Sequence, residues 1–296
     1  MATPVVMGAP RPAPFFTPLF VAIDKGFLAE EGLDGSMRYL MSLEGLERGE
    51  IDFLSGGSAY RHFLNGADIR MVCGLSVRET SHVLMVRPEV ESVDRLEHVL
   101  LPGSSGRQGE RFVDELRSIL AMNGCDLDQS KIDTQHIAGS HKEQWDLLKQ
   151  GVGDAATLGA PWWFFAAKEG YRNLGNEGDY NPSPSGSGIY VTPEKIAQSP
   201  EVVEGFVRAY ARSMRYCLEN VEGTMETMMK YSREWGVDNP EIARQAYDEV
   251  APYWRLEVDV AEMEEGARRA AAKMGQPPIS VDSFLDLSFL DRALQT

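Results

Sequence analysis

Short apolar runs alternate with helix-period segments over the first two-thirds of the chain, and this constrains the fold more than any other feature. Val5–Gly8, Met37–Leu40, Ile51–Ser55 and Ile69–Cys73 read as buried strands, with helices over Leu19–Glu30 and Leu43–Arg48 between them. A second set follows: strands at Val83–Arg87, Val99–Leu101, Ile132–Ile137 and Ala155–Leu158, and helices at Gly109–Met122 and His141–Lys149. Strands alternating with helices predict parallel α/β sheet. The chain after Ser199 reads as almost wholly helical, with Pro240 suited to a first helical position.

An internal echo divides the chain. Leu46-x-x-Gly49-x-x-Asp52 precedes one apolar strand and the small residues Gly56, Gly57, Ser58 and Ala59. Leu148-x-x-Gly151-x-x-Asp154 precedes another, followed by Gly159, Ala160 and Pro161. Each unit is a helix stopped by glycine, which supplies the left-handed cap, then a turn and a strand. Small residues at a strand's C-terminal end let a ligand approach the backbone where open α/β sheets bind ligands. Two copies about 102 positions apart suggest two similar lobes facing one cleft, although helix–Gly–strand units are also common by chance.

Charge excludes one class of partner. The 29 basic and 45 acidic residues give a net charge of −16, against the clustered cations that nucleic acid requires. A single Arg or a helix N-terminus still suffices for a small anion. Cys73, Cys125 and Cys217 are odd in number and lack metal-type spacing, so neither a disulfide framework nor a metal site is expected. No apolar run reaches membrane-spanning length. The opening Met1-Ala-Thr-Pro lacks the basic and apolar regions of a signal peptide. The expected location is cytoplasmic as the sequence stands, or extracytoplasmic if it is a mature form with Met1 added.

The stretch from Pro18 to Leu33 carries Ala22, Lys25, Gly26, Phe27, Leu28, Gly32 and Leu33. It resembles the first helix of the nitrate, sulfonate, taurine and thiamine-pyrimidine binding proteins, whose pattern is A-x-x-K/E-G-(F/Y)-(F/L)-x-x-x-G-(L/I). Gly49 to Phe53 resembles that family's first-lobe G-x-(I/V)-D. Gly151 to Ala156 resembles its second-lobe partner, with Pro161 matching the proline that follows, and Ser199 to Arg212 resembles its helical tail. The resemblance runs from Val5 to about Leu294. It implies the type II periplasmic-binding fold: two Rossmann-like lobes, residues 1–82 with 189–296 and residues 83–188, hinged near Ser81–Val83 and Ser183–Ile189. Most members of that family deliver solutes to an ABC importer. A minority of proteins with the fold are enzymes, including a desulfinase and a thiamine-pyrimidine synthase. The synthase's cysteine-rich motif is absent here, as is a cysteine in the first ligand loop where a desulfinase would want its nucleophile. Fold alone does not choose between the classes.

Candidate contacts cluster at strand-to-helix loops. Before the first helix stand Arg11, Phe15, Phe16 and Thr17, where free N–H groups suit an anion, although Thr17 followed by Pro18 also makes a simple cap. The first glycine loop offers Gly57, Ser58, Ala59, Arg61 and His62. The turn after Leu101 offers Ser104, Ser105 and Arg107, an anion cradle without the Gly-Lys-Ser/Thr ending of a nucleotide loop. Ser140, His141, Pro161 and Trp162 complete the set. Trp162 and Trp163 suggest either one ring facing the core and one facing a flat ligand, or both rings packed in the core. The reading is a small organic anion, aromatic or heterocyclic, bound in the cleft without a cofactor, with an ABC permease as partner if the protein is secreted. The alternative is a cofactor-independent lyase in which Arg61 or Arg107 holds a carboxylate and His62 or His141 moves the proton.

Overall fold

The computed structural model describes residues 2–9, 13–40, 43–57, 59–76, 82–103, 107–138, 141–176, 187–233 and 237–295. The chain divides into two compact units: Met1–Glu79 with Ser183–Thr296, and Thr80–Pro182.

The first unit is built on β1 (Thr3–Ala9), β2 (Leu33–Tyr39), β3 (Phe53–Ser55), β4 (Arg70–Ser76) and β10 (Ser187–Val191), in the order β2-β1-β3-β10-β4. β1 runs parallel to β2 and β3, whereas β10 enters antiparallel between β3 and β4. The helix expected over Leu19–Glu30 is two: α1 (Thr17–Asp24) and α2 (Phe27–Glu30). Gly26 breaks it at φ +81°, a left-handed backbone that favours glycine. α3 (Leu43–Glu47) and α4 (Ala59–Leu64) complete the first segment. Past β10 come α8 (Pro193–Gln198), α9 (Pro200–Glu219), α10 (Val221–Ser232), α11 (Pro240–Val250), α12 (Val260–Lys273) and α13 (Ser288–Leu294), as the helical tail predicts. Pro240 takes a first-turn position of α11, behind Asn239 as cap.

Helix α9 buries Val202, Val203, Phe206, Tyr210, Met214 and Cys217, spaced to fall on one face. Phe206 stacks on Phe53 of β3 with ring centroids 3.7 Å apart. Leu54, Met71 and Tyr190 belong to a separate core cluster with Met263 and Ala267 of α12 and Phe284.

The second unit holds β5 (Val83–Val86), β6 (His98–Pro102), β7 (Asp133–Ile137), β8 (Ala155–Leu158) and β9 (Arg172–Asn176), in the order β7-β6-β8-β5-β9. β6 is parallel to β7 and β8, and β5 lies antiparallel between β8 and β9. Its order therefore repeats that of the first unit. Helices α5 (Arg107–Met122), α6 (His141–Lys149) and α7 (Trp162–Lys168) connect the strands. Side chains alternate across the sheet. Leu84, Val86, Val99 and Leu101 cluster with Leu116, Ile119 and Leu120 of α5. Val83, Met85 and Leu100 join the opposite cluster with Trp145 and Leu148 of α6.

The echo is a repeated construction. Gly49 and Gly151 stop their helices at φ +70° and +82°. Asp52 Oδ2 then accepts from Val6 N–H at 2.8 Å, and Asp154 Oδ2 accepts from Glu97 and His98 N–H at 2.8 and 3.0 Å. Each carboxylate fastens the strand entered at its turn to the parallel neighbour. Of the expected hinge Ser183–Ile189, Ser187–Ile189 is strand, with Ser187 paired to Ser76 and Gly188 to Gly74. Of the other expected hinge, Ser81–Val83, His82 and Val83 are described, and Val83 opens β5. Among the described residues no helix is long and apolar enough to cross a membrane.

Candidate functional site

The candidate residues lie at the C-terminal ends of β1 and β3 in the first unit and of β6, β7 and β8 in the second, where α/β sheets place ligands. Arg11, Ser58, Ser104, Ser105 and Ser140 lie outside the described residues, as do the side chains of Ala59, Arg61 and Arg107.

After β1 the chain turns through Ala13 and Pro14 into α1. Thr17 is fully buried and its hydroxyl donates to Pro14 O at 2.6 Å. Phe16, not Thr17, occupies the cap position of α1. The threonine hydroxyl therefore shapes the turn, a correction to its expected place as cap. Phe15 and Phe16 are each 4% exposed and meet edge to face at 5.4 Å. Trp254 Nε1 donates to Phe15 O at 2.9 Å, so this aromatic pair is anchored in the first unit.

After β3 the chain passes through Gly56 and Gly57, both at positive φ, into α4. Ser55 Oγ donates to Gly8 O at 2.5 Å and joins the ends of β3 and β1. Gly56 N–H donates to Gly188 O at 3.0 Å. His62 lies on α4 with Nε2 3.4 Å from Gly56 O and its ring edge-on to Tyr190 at 5.3 Å. Tyr190 OH donates to Gly57 O at 2.5 Å. His62 thus packs beneath the glycine turn.

In the second unit Gly103 follows β6 at φ +84°, a left-handed backbone that favours glycine. His141 opens α6, 3% exposed, with Nδ1 2.8 Å from Gln144 Oε1. Its ring centroid lies 4.9 Å from that of His82, whose Nδ1 donates to Glu115 Oε2 at 3.1 Å. Glu115, 2% exposed on α5, is the residue that the sequence reading missed. A signal was available: it sits three positions after Phe112 and four before Ile119, within the apolar stripe. Pro161 is buried at the cap of α7, and its carbonyl accepts from Phe164 N–H at 3.0 Å. Trp162 stacks on Phe165 at 5.6 Å and Trp163 packs on Phe164 at 3.9 Å. Both tryptophans are half-buried against the same core cluster.

No protein-family model matches the chain. It is 25% identical over 266 residues to the riboflavin-binding protein RibY of Chloroflexus aurantiacus, covering 82% of this chain and 70% of that protein. The alkanesulfonate-binding protein SsuA of Xanthomonas axonopodis pv. citri, solved with MOPS, superposes with a TM-score of 0.72 at 14% identity, over 96% of this chain and 98% of that one. The desulfurization enzyme DszB in complex with biphenyl-2-sulfinic acid superposes with a TM-score of 0.75 at 14% identity, over 100% and 99%. With two sheets of matched strand order and these structural likenesses, the chain has the type II periplasmic-binding-protein fold.

Proposed function

We propose that the protein is a solute-binding protein of the ABC-importer type that captures a small organic anion, aromatic or heterocyclic. The observation that carries this reading is the Gly56–Gly57 turn at the end of β3. It brings backbone rather than bulky side chains to the ligand-binding end of the sheet, and Gly57 N–H has no acceptor among the described residues. The names of the relatives supply the chemistry: riboflavin, an uncharged heterocycle, for RibY, and MOPS, a sulfonate carrying a heterocycle, for SsuA. Support over the lyase alternative comes from the two histidines nominated for proton transfer. His62 faces Gly56 O, and His141 is buried against Gln144. The permease that would receive the solute belongs to the same proposal.

The test is thermal unfolding of the purified protein with riboflavin, MOPS, benzenesulfonate, benzoate and nitrate. A ligand at a hundred times its Kd stabilises the folded state by about 2.7 kcal/mol. One of the organic anions should raise the melting temperature with nitrate inert. Stabilisation by nitrate alone, by the uncharged riboflavin alone, or by none of the five overturns the ligand class. Conversion of a stabilising ligand, followed by mass spectrometry, would move the protein to the enzyme class.

A further inference from the structure

We infer that Tyr190 is a positioning residue for anion recognition, which rests on the reading that the Gly56–Gly57 turn meets the solute. The tyrosine hydroxyl sits between two backbone groups. Gly188 N–H donates to it at 3.1 Å, and it lies 2.5 Å from Gly57 O. An N–H can only donate and a carbonyl can only accept, so the hydroxyl proton is committed to Gly57 O. Tyr190 is fully buried among Leu54, Met71 and Phe284, which keeps its ring from swinging away.

The need for such a fixture follows from the glycines. Gly56 and Gly57 stand at φ +97° and +77°, and peptides flanked by glycine reorient at little cost. A turn free to reorient would present carbonyl oxygens as readily as N–H groups, and a carbonyl repels an anion. In a trans peptide the C=O and the following N–H point in opposite directions. His62 Nε2 faces Gly56 O, so the N–H of Gly57 is directed the other way. Tyr190 holds the next carbonyl, that of Gly57. Both carbonyls of the turn are thereby occupied from within the unit and Gly56 N–H is taken by Gly188 O, so Gly57 N–H is the donor of the described turn that is left to meet an anion. Gly188 completes the fixture. A Cβ there would meet Met71 Cε at 2.3 Å and Cys73 O at 2.8 Å, so glycine is required to bring its N–H to the tyrosine.

The experiment compares Tyr190→Phe with wild type, using benzenesulfonate as the anion and benzenesulfonamide as its neutral counterpart, by calorimetry. Carbonyl orientation matters to the anion, so its affinity should fall roughly tenfold while the sulfonamide changes less than threefold. Equal loss for both probes means general loosening and overturns the proposal. A second arm needs no ligand: the carbonyl carbon resonance of Gly57 in isotope-labelled protein should leave its hydrogen-bonded position in Tyr190→Phe. If wild type binds neither probe, the recognition reading fails, and an unmoved Gly57 resonance then overturns the positioning role separately. Should Tyr190→Phe not fold, His62→Gln carries the same comparison through Gly56, with equal loss for both probes again the overturning result.

Discussion

Asp154 and His98 are tied twice: Asp154 Oδ2 accepts from His98 N–H at 3.0 Å, and Asp154 N–H donates to His98 O at 2.8 Å. Asp52 and Val6 repeat the arrangement, with both bonds at 2.8 Å. The carboxylate also takes Glu97 N–H in the second unit, while Asp52 Oδ1 takes Lys195 Nζ at 2.6 Å in the first. Asp154→Ala removes an acceptor from two backbone donors and should destabilise the protein by about 1–3 kcal/mol. Asp154→Asn keeps an acceptor oxygen and should recover at least half of the loss. Urea denaturation measures both, and an alanine variant as stable as wild type would remove the aspartate from the account.

The His82–Glu115 hydrogen bond joins two buried polar side chains, 5% and 1% exposed. Removing one partner leaves the other buried without this bond, which typically costs about 1–3 kcal/mol. His82→Leu should show a loss of this size in chemical denaturation. The double change His82→Leu with Glu115→Leu should cost less than the sum of the single changes, since neither polar group is then left buried without the other. Additive losses would show that the two residues act independently.

Tyr210 offers the opposite case. Its hydroxyl is buried on α9 and finds no hydrogen-bond partner among the described residues. Burial drives its proton affinity well above the ordinary tyrosine value. Tyr210→Phe removes a desolvated polar group without opening a large void. Stability should stay level or rise by about 1 kcal/mol. A fall of the same size or more in urea denaturation would mean that the hydroxyl has a role in the folded protein.

Three buried thiols set an alkaline limit. Burial pushes the Cys217 thiol from 9.0 up to about 12, and raises Cys73 and Cys125 as well. The thiols should resist Ellman's reagent in the native state and react once urea is added. For the linkage, the native state keeps its thiol protons at a pH where the unfolded chain has released them. Stability is therefore full below about pH 9 and declines as pH rises from there toward 12. Denaturation at pH 7.5 and pH 10 should show the decline, and an increase at pH 10 would reverse the assignment.

The sequence carried the central parallel strands well because such strands are buried on both faces and appear as apolar runs. β6 and β8 were readable for that reason. β9, with the sequence Arg-Asn-Leu-Gly-Asn, lies at a sheet edge and carries no such run, and β10 is placed by pairing with distant strands rather than by local pattern. Gly26 interrupts an otherwise continuous helical period, so one helix was expected where two formed. At the site, the glycine turn was legible because positive φ selects glycine. Thr17 misled because a hydroxyl beside a helix start can cap it or bond backward to the preceding turn, as it does here to Pro14. Glu115 was passed over because a single carboxylate on a helix carries no motif, and Tyr190 has none either: its partner Gly57 lies more than a hundred residues away in the chain.

The antiparallel strand β10 has a consequence for the order of events on the ribosome. It fills the middle of the first sheet, yet it is synthesised after the whole of the second unit. Until residue 191 has emerged, β3 and β4 have no partner between them, and their backbone edges stand open. The second unit, by contrast, is one continuous stretch of chain. Nascent chains whose emerged part ends between residues 182 and 187 should therefore carry a protease-resistant second unit behind an amino-terminal segment still open to digestion, and emergence of β10 should protect that segment in one step.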